Sequence, residues 1–262
     1  MKIEFSKYHG TGNDFILIDN RTATVSLTDT DVARLCHRRF GIGADGLMLL
    51  ETTAEAGFRM VYYNSDGRQS SMCGNGGRCI VAFAKALGLA GDRTEFLAVD
   101  GLHSAEIEKD GTVSLHMRDV NAIIQSAPDV FVLDTGSPHY VHIRSGVREM
   151  NVPAEGQAIR YSPRYRQDGI NVNFVERAAD NGLFVRTYER GVEDETLSCG
   201  TGVTAAAIAS VAEDGAGEYR IPVSTPGGKL IVTFTKDSRN AVTNVVLCGP
   251  AVRVFEGTVE VF

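Results

Sequence analysis

One short motif occurs twice in this chain, and the repetition constrains the fold more than any other feature. Cys73-Gly74-Asn75-Gly76 and Cys199-Gly200-Thr201-Gly202 both read Cys-Gly-x-Gly, and they are separated by nearly half of the 262 residues. Each copy follows a tyrosine-bearing strand pattern and a polar loop, and each precedes an alanine-rich helical pattern and a pair of strand patterns. The chain is therefore predicted to contain two similar halves, each with one copy of the motif.

Strand patterns dominate both halves. Short apolar runs with strand-like spacing lie at 15–18, 47–50, 58–63, 140–143 and 183–188. Helical patterns are few: one runs over 28–40 with Thr28 as the N-cap, and two follow the repeated motif, over 73–87 and 199–211. We predict an α/β (α+β) fold with two pseudo-symmetric domains, each a mixed, mostly antiparallel sheet wrapped around one central helix.

Composition excludes several classes of protein. Hydrophobic residues make up 43% and charged residues 23% of the chain, which is typical of a globular protein. The net charge of -7, without a basic cluster, argues against a nucleic-acid partner. No apolar run is long enough to form a signal peptide core or a membrane span, so we expect a cytoplasmic protein. Five cysteines are too few and too scattered for a disulfide framework, and we expect free thiols.

The repeated motif suits proton transfer at carbon. The first N–H groups of a helix have no intrahelical partner, and glycines let a carboxylate approach them closely. The positive end of the helix also favours the thiolate form of a cysteine placed there. Two such cysteines, facing each other across a domain cleft, predict a two-base reaction in which one removes a proton beside a carboxylate and the other delivers a proton from the opposite face. Such an enzyme inverts a stereocentre without a cofactor or a metal.

Three other cysteines and two glycine-containing runs are predicted to be structural rather than functional. Cys36, Cys79 and Cys248 lack the glycine context and are predicted to be core residues, and the spacing of Cys73 and Cys79 does not suit a zinc site. The run 41–46 formally fits the dinucleotide pattern Gly-x-Gly-x-x-Gly, but a helical pattern precedes it and a strand pattern follows it, the reverse of what that site needs. The run 225–229 is predicted to be a hairpin turn rather than a phosphate loop.

The chain resembles the diaminopimelate epimerase family over nearly its whole length. Five stretches carry the resemblance in order and spacing: His9-Gly10-Thr11-Gly12-Asn13-Asp14-Phe15, Gly41-Ile42-Gly43-Ala44-Asp45-Gly46, Met72-Cys73-Gly74-Asn75-Gly76-Gly77-Arg78, Glu189-Arg190-Gly191 and Ser198-Cys199-Gly200-Thr201-Gly202. The resemblance implies a homodimeric enzyme that interconverts LL- and meso-diaminopimelate without pyridoxal phosphate. It also implies that the C-terminal segment returns to the first domain as a strand, which gives domains of 1–118 plus 251–262 and of 119–250.

The resemblance further implies roles for individual residues. Cys73 and Cys199 are the catalytic pair, and His139 is the supporting histidine beside a catalytic thiol. The backbone at Gly74-Asn75 and Gly200-Thr201 holds the reacting carboxylate, with Glu189 near the reacting amine. The ligands of the distal, non-reacting end of the substrate are Asn13, Asn64, Asn171 and Arg190. Amides and a guanidinium suit a zwitterionic end, although each of these residues could equally be a turn, edge or surface residue.

Two positions depart from the family pattern. Ser137 stands where many members have asparagine, and Gly46 stands where some have glutamine, so each change removes an amide from the expected distal pocket. A proline-racemase-type or phenazine-type isomerase of the same architecture is the main alternative, and a racemisation assay with both substrates separates the two. Two activated thiols close to a shared atom also predict a disulfide in the empty enzyme and a requirement for reductant.

Overall fold

The computed structural model describes residues 1–70, 72–179 and 181–261. The chain divides into two compact units: unit 1 comprises 1–115 with 249–262, and unit 2 comprises 116–248. Phe262, the end of the predicted first domain, lies outside the described residues.

The elements of the described chain alternate short strands with four helices. In chain order they are β1 (Lys2–Gly10), β2 (Asn13–Asp19), α1 (Asp29–Cys36), β3 (Gly46–Glu51), β4 (Phe58–Asn64), β5 (Gln69–Ser70), α2 (Gly74–Ala86), β6 (Arg93–Ala98), β7 (Gly101–Ile107), β8 (Val113–His116), β9 (Ile124–Ala127), β10 (Val130–Asp134), β11 (Pro138–Ile143), α3 (Val152–Arg160), β12 (Asn171–Arg177), β13 (Leu183–Glu189), β14 (Asp194–Thr196), α4 (Gly200–Ala209), β15 (Gly217–Thr225), β16 (Gly228–Lys236), β17 (Val242–Gly249) and β18 (Val252–Glu260).

The two units share one strand topology. In unit 1 the strands pair in the order β18, β1, β2, β3, β4, β6, β7, β8, with β2–β3 and β4–β6 parallel and the other pairs antiparallel. In unit 2 the order is β9, β10, β11, β12, β13, β15, β16, β17, with β11–β12 and β13–β15 parallel at the corresponding places. The predicted mixed and mostly antiparallel architecture, with its internal duplication, is therefore confirmed. In this scheme β18 is the counterpart of β9.

A buried helix lies at the centre of each unit. In unit 1, α2 packs against β1, β2, β3 and β7, and in unit 2, α4 packs against strands from β10 to β16. Every residue of α4 except Thr201 is buried. A helix buried on nearly all sides needs apolar residues all round, and the alanines of α4 also let the surrounding strands approach closely.

The C-terminal end of α4 is closed by a buried lysine. Lys236, at the end of β16, is 1% exposed. Its ammonium group donates to the carbonyl oxygens of Val211 at 2.6 Å, Ala212 at 3.1 Å and Asp214 at 2.7 Å. These carbonyls follow the last turn of the helix, and that of Val211 also accepts from the Asp214 N–H at 3.1 Å.

The peripheral helices α1 and α3 differ in how well the sequence predicts them. The cap at Thr28 is confirmed, with its hydroxyl accepting from the Asp31 N–H at 3.2 Å. However, α1 ends at Cys36 rather than at 40, because His37 adopts extended backbone angles. The helix α3, capped by Asn151, was not predicted from the sequence.

Turns and loops agree with the remaining predictions. The run 225–229 forms the hairpin between β15 and β16, in which Thr225 pairs with Gly228. The run 41–46 leads from α1 into β3, so it lacks the strand-loop-helix order of a dinucleotide site. A two-residue turn, Thr11-Gly12, joins β1 to β2, and both residues have positive φ, as a type I′ hairpin requires. Within the described residues, the helices are all too short or too polar to cross a membrane.

Candidate active site

In unit 1, Cys73 is the N-cap of the buried helix α2. Its backbone is extended, with φ -110° and ψ 147°, and its sulfur atom accepts from the Gly76 N–H at 3.3 Å. The thiol is only half-buried. A sulfur atom that already accepts a helix N–H lies at the positive end of the helix, where negative charge is stabilised.

The glycine after Asn75 is required for space. A Cβ atom on Gly76 would lie 2.3 Å from the Cε atom of Met48 and 3.1 Å from the sulfur of Cys73. A larger residue at this position would therefore displace the thiol or the end of the Met48 side chain. The motif glycine keeps the first turn of α2 closely packed and leaves its outer side open.

A buried arginine orients the side chain of Asn75. Arg78 donates to the Gly74 carbonyl at 3.2 Å and to the Asn75 side-chain oxygen at 2.9 Å. The Thr11 hydroxyl donates to the same oxygen at 3.3 Å. The amide nitrogen of Asn75 is thereby directed towards Asn13, whose side-chain oxygen it reaches at 3.3 Å. Sequence reasoning did not assign Thr11 or Arg78, although both lie within the family stretches.

Asn13 in turn is held by a group of charges. Its amide donates to a carboxylate oxygen of Asp45 at 2.7 Å. Arg38 bridges Asp45 at 2.7 Å and Asp14 at 2.8 Å, and Lys7 lies 2.8 Å from Asp14. Burial alone would raise the pKa of Asp14, but hydrogen bonds from Arg38 and Lys7 outweigh it and hold that pKa well below its usual range. Two of the expected ligands, Asn13 and Asn75, are thus brought together on a rigid support.

The two remaining positions of interest in unit 1 lie on β3 and β4. Asn64, at the end of β4, is exposed, and its backbone closes a turn with Gly67 and Arg68. Gly46 has no room for a side chain, because a Cβ atom there would lie 2.5 Å from the ring of Tyr62. The ring of Tyr62 therefore occupies the space that a glutamine side chain at this position would need.

In unit 2, Cys199 is the N-cap of α4. It has the same φ of -110° as Cys73 and a ψ of 115°, and its sulfur lies 3.4 Å from the Thr201 hydroxyl. The residue is 7% exposed. The Thr135 hydroxyl donates to the Thr201 carbonyl at 2.9 Å and fixes the first turn of the helix. The two cysteines therefore have equivalent places in equivalent units.

His139 lies fully buried on β11, in contact with Asn173 on β12. The imidazole Nδ1 is 3.0 Å from the side-chain nitrogen of Asn173, and Nε2 has no hydrogen-bond partner among the described residues. Burial, together with the positive charge of Arg190, lowers the pKa of His139 to about 3. The imidazole is therefore neutral at physiological pH.

Asn171 connects the predicted distal ligands of unit 2. Its amide nitrogen donates to the Ser137 hydroxyl at 2.6 Å and to the Pro138 carbonyl at 3.1 Å, and its oxygen accepts from the Arg190 N–H at 2.9 Å. The Ser137 hydroxyl therefore takes a specific place beside Asn171, with its own proton available for a ligand.

The side chains of Arg190 and Glu189 diverge from their shared turn. Arg190 donates to the Asp168 carbonyl at 3.1 Å and passes over Gly169, where a Cβ atom would lie 2.6 Å from its Cδ. A carboxylate oxygen of Glu189 accepts from the Thr196 hydroxyl at 2.9 Å. Unit 2 thus places His139 and Asn171 on the neighbouring strands β11 and β12, and Arg190 directly after β13.

Comparison with known proteins gives the family. A family model described as diaminopimelate epimerase matches residues 5–123 and 131–254. The chain belongs to the diaminopimelate epimerase family. Among curated relatives, the diaminopimelate epimerase of Flavobacterium psychrophilum is 51% identical over 254 residues, covering 97% of this chain and 98% of its own length. That of Chlorobaculum tepidum is 43% identical, with 95% and 98% covered.

Solved structures share the fold of the diaminopimelate epimerase family at low identity. A phenazine biosynthesis protein of the PhzF family from Bacillus anthracis has a TM-score of 0.79 and 14% identity, with 100% of both chains covered. A hydroxyproline epimerase from Agrobacterium vitis has a TM-score of 0.68 and 13% identity, with 98% of this chain and 92% of its own covered. At such identity the likeness shows the architecture alone.

Proposed function

We propose that this protein interconverts LL- and meso-2,6-diaminopimelate, a step towards lysine and peptidoglycan precursors, with Cys73 and Cys199 as its acid and base. The identity of 51% over nearly the full chain supports the substrate. The observation that carries the mechanism is that both cysteines cap the N-termini of the two equivalent buried helices.

The proposed reaction moves one proton in and one proton out. One cysteine, as thiolate, takes the Cα proton and becomes a thiol. The other cysteine, as thiol, gives its proton to the opposite face of the resulting carbanion and becomes a thiolate. The charge is balanced, and the cysteines exchange roles for the reverse direction. No cofactor is required, because the backbone at Gly74-Asn75 and Gly200-Thr201 supplies the N–H groups that stabilise charge on the reacting carboxylate.

The distal end of the substrate is proposed to bind to Arg190, Asn13, Asn64, Asn171 and Ser137. Arg190 offers a guanidinium for the distal carboxylate, and Asn13 and Asn64 offer amide groups. Asn171 uses both donor hydrogens internally, so it can serve the substrate only as an acceptor, while Ser137 can donate. Glu189 is proposed to hold the reacting ammonium group. These assignments favour a substrate with a second amino-acid end over proline.

Hydrogen exchange at Cα tests the mechanism. In D₂O the parent enzyme should place deuterium at Cα of the product isomer from the first turnovers, since the incoming proton comes from a different thiol than the one that receives the substrate proton. Cys73→Ser and Cys199→Ser should each lower the rate of epimerisation by about 10²–10⁴. Cys248→Ser, the same change at another half-buried cysteine, is the matched control and should retain the parent rate.

Two outcomes would overturn the proposal. Loss of epimerisation in only one of the two serine variants would refute the paired mechanism. Turnover of proline or hydroxyproline, in the absence of turnover of diaminopimelate, would instead favour the alternative isomerases.

We further propose that the enzyme is a homodimer located in the cytoplasm, as its family membership favours. The strand β18 supports a dimer, because it carries three exposed apolar side chains: Val252, Val254 and Phe255 are 43%, 55% and 47% exposed. Sedimentation velocity should give a dimer for the parent and a monomer for Val254→Asp. A monomeric parent would contradict this part of the proposal.

A further inference from the structure

A cluster of buried polar side chains lies on three adjacent strands of unit 2. His139 on β11 and Asn173 on β12 are both 0% exposed, and Thr187 on β13 is 3% exposed. The register of β12 and β13 places Asn173 directly opposite Thr187. Burying polar groups costs free energy unless each forms hydrogen bonds, so the partners of this cluster define its chemistry.

The orientation of the Asn173 amide is fixed by its neighbours. The amide nitrogen lies 3.1 Å from the Tyr140 carbonyl oxygen, which can only accept a hydrogen bond. The amide oxygen lies 3.0 Å from the Thr187 hydroxyl, which donates to it. Reversing the amide would place two oxygens against each other at Tyr140, so the nitrogen must face His139.

This orientation determines the tautomer of His139. Because the Asn173 nitrogen donates to Nδ1, that atom must carry a lone pair rather than a proton. A neutral imidazole with an unprotonated Nδ1 carries its proton on Nε2. The positive charge of Arg190 acts on the ring in the same direction, against an imidazolium.

The Nε2 atom is a buried donor with no acceptor among the described residues. Leaving such a donor unsatisfied costs free energy, and such groups are few in folded proteins. The cluster lies against the first turn of α4, since a Cβ atom on Gly202 would be 2.3 Å from the Asn173 oxygen and 3.3 Å from the Cβ of Cys199. The second glycine of this motif therefore makes room for the asparagine that holds the histidine.

We propose that Asn173 is a positioning residue that keeps His139 in the neutral Nε2–H form, so that this N–H can stabilise negative charge at the N-terminus of α4. His139 then acts as a hydrogen-bond donor and does not carry the substrate proton, which stays on sulfur. This inference rests on the proposed catalytic role of Cys199.

The tautomer can be measured without an activity assay. Nitrogen-15 NMR of histidine-labelled protein should show a protonated Nε2 and an unprotonated Nδ1 for His139 between pH 6 and pH 8. In Asn173→Asp, a carboxylate faces Nδ1 and can only accept, so the proton should move to Nδ1 or the ring should become charged. An imidazolium, or a protonated Nδ1, in the parent would overturn the proposal.

Kinetics test whether the tautomer matters. Asn173→Asp should lower kcat by about 10² with little change in KM, which is within the range for a well-placed acid-base or donor group. Ser210→Ala removes another buried hydrogen bond, at the far end of α4, and should retain kcat. A tautomer reversed by NMR, together with a kcat equal to that of Ser210→Ala, would refute the positioning role.

A second pair of variants applies even if Asn173→Asp does not fold. Glutamine can place a neutral N–H near the position of Nε2, whereas leucine has a similar size and no donor. His139→Gln should therefore keep a kcat at least about tenfold above that of His139→Leu, since about 1.4 kcal/mol of lost stabilisation is tenfold in rate. Equal loss in both would overturn the donor role of His139. A parent enzyme that does not epimerise diaminopimelate would refute the proposed function and leave the tautomer result intact.

Discussion

The lysine at the C-terminal end of α4 gives a sharp test of how this fold is stabilised. Lys236→Met keeps the length and the apolar stem of the side chain but removes all three donors to the carbonyls of Val211, Ala212 and Asp214. The C-terminal end of α4 then loses the charged donor to these three carbonyls, and only that of Val211 keeps a backbone donor, the Asp214 N–H. We expect a lower free energy of unfolding.

The magnitude follows from the burial of each carbonyl. The Val211 carbonyl accepts in a fully buried contact, where losing a charged donor costs about 1.5–3 kcal/mol. The carbonyls of Ala212 and Asp214 are partly accessible and can bind water, so each loses roughly 0.5 kcal/mol. Relief from burying an ammonium group offsets part of this, and the net loss is about 2–3 kcal/mol. For a unit of this size the midpoint of thermal unfolding should fall by about 6–10 °C.

Urea unfolding followed by circular dichroism measures this difference. Lys229→Met is the matched control, because Lys229 is an exposed lysine on the same strand β16. The control should unfold within about 0.5 kcal/mol of the parent, as exposed substitutions usually do. A Lys236→Met protein as stable as Lys229→Met would refute the assignment of Lys236 as the cap of α4.

Three further predictions concern charge, reactivity and packing. Asp14→Asn should make the free energy of unfolding less sensitive to acid. The depressed pKa of Asp14 contributes stability that is fully present above an unfolded pKa of about 3.9 and is lost as the pH falls below it. The free energies of unfolding in urea at pH 7 and at pH 3 should therefore differ less in the variant than in the parent. Iodoacetamide at pH 8 should modify Cys73 before Cys79, because Cys73 is half-buried whereas complete burial raises the pKa of the Cys79 thiol to about 12. Equal labelling of the two cysteines by mass spectrometry would contradict this. Gly202→Ala should cost about 1–3 kcal/mol of stability, since its Cβ would lie 2.3 Å from a buried carboxamide oxygen, whereas Gly215→Ala meets open space and should unfold like the parent.

The sequence predicts most of the architecture because its strongest signals are local. The cap at Thr28 and the glycines of the repeated motif each depend on a few adjacent residues, and both lie where helices begin. The helix α3 has a weak pattern: of its residues only Val152 and Gly156 are buried, and it contains a proline and a glycine. The internal duplication could have predicted α3, since it lies between β11 and β12 as α1 lies between β2 and β3.

The residues of the candidate site likewise differ in whether the sequence predicts them. Both cysteines stand out in the sequence because the helix start that surrounds each one is local. Asn173 and Thr187 have no such motif; only the pairing of three strands brings Asn173 to His139 and Thr187 to Asn173. Asp45 likewise reaches Asn13 only after the loop between α1 and β3 folds back onto the first hairpin. Residues that support a site from another strand therefore cannot be predicted until the register of the strands is known.

The pairing of β1 with β18 has a consequence for biosynthesis. A ribosome releases residues in order, so the whole of unit 2, 116–248, emerges before the strand that completes unit 1. One edge of β1 therefore stays uncovered until β18 is made. The unit that begins to form first is thus completed after the other, and a variant without β18 would keep β1 paired with β2 but leave its other edge open.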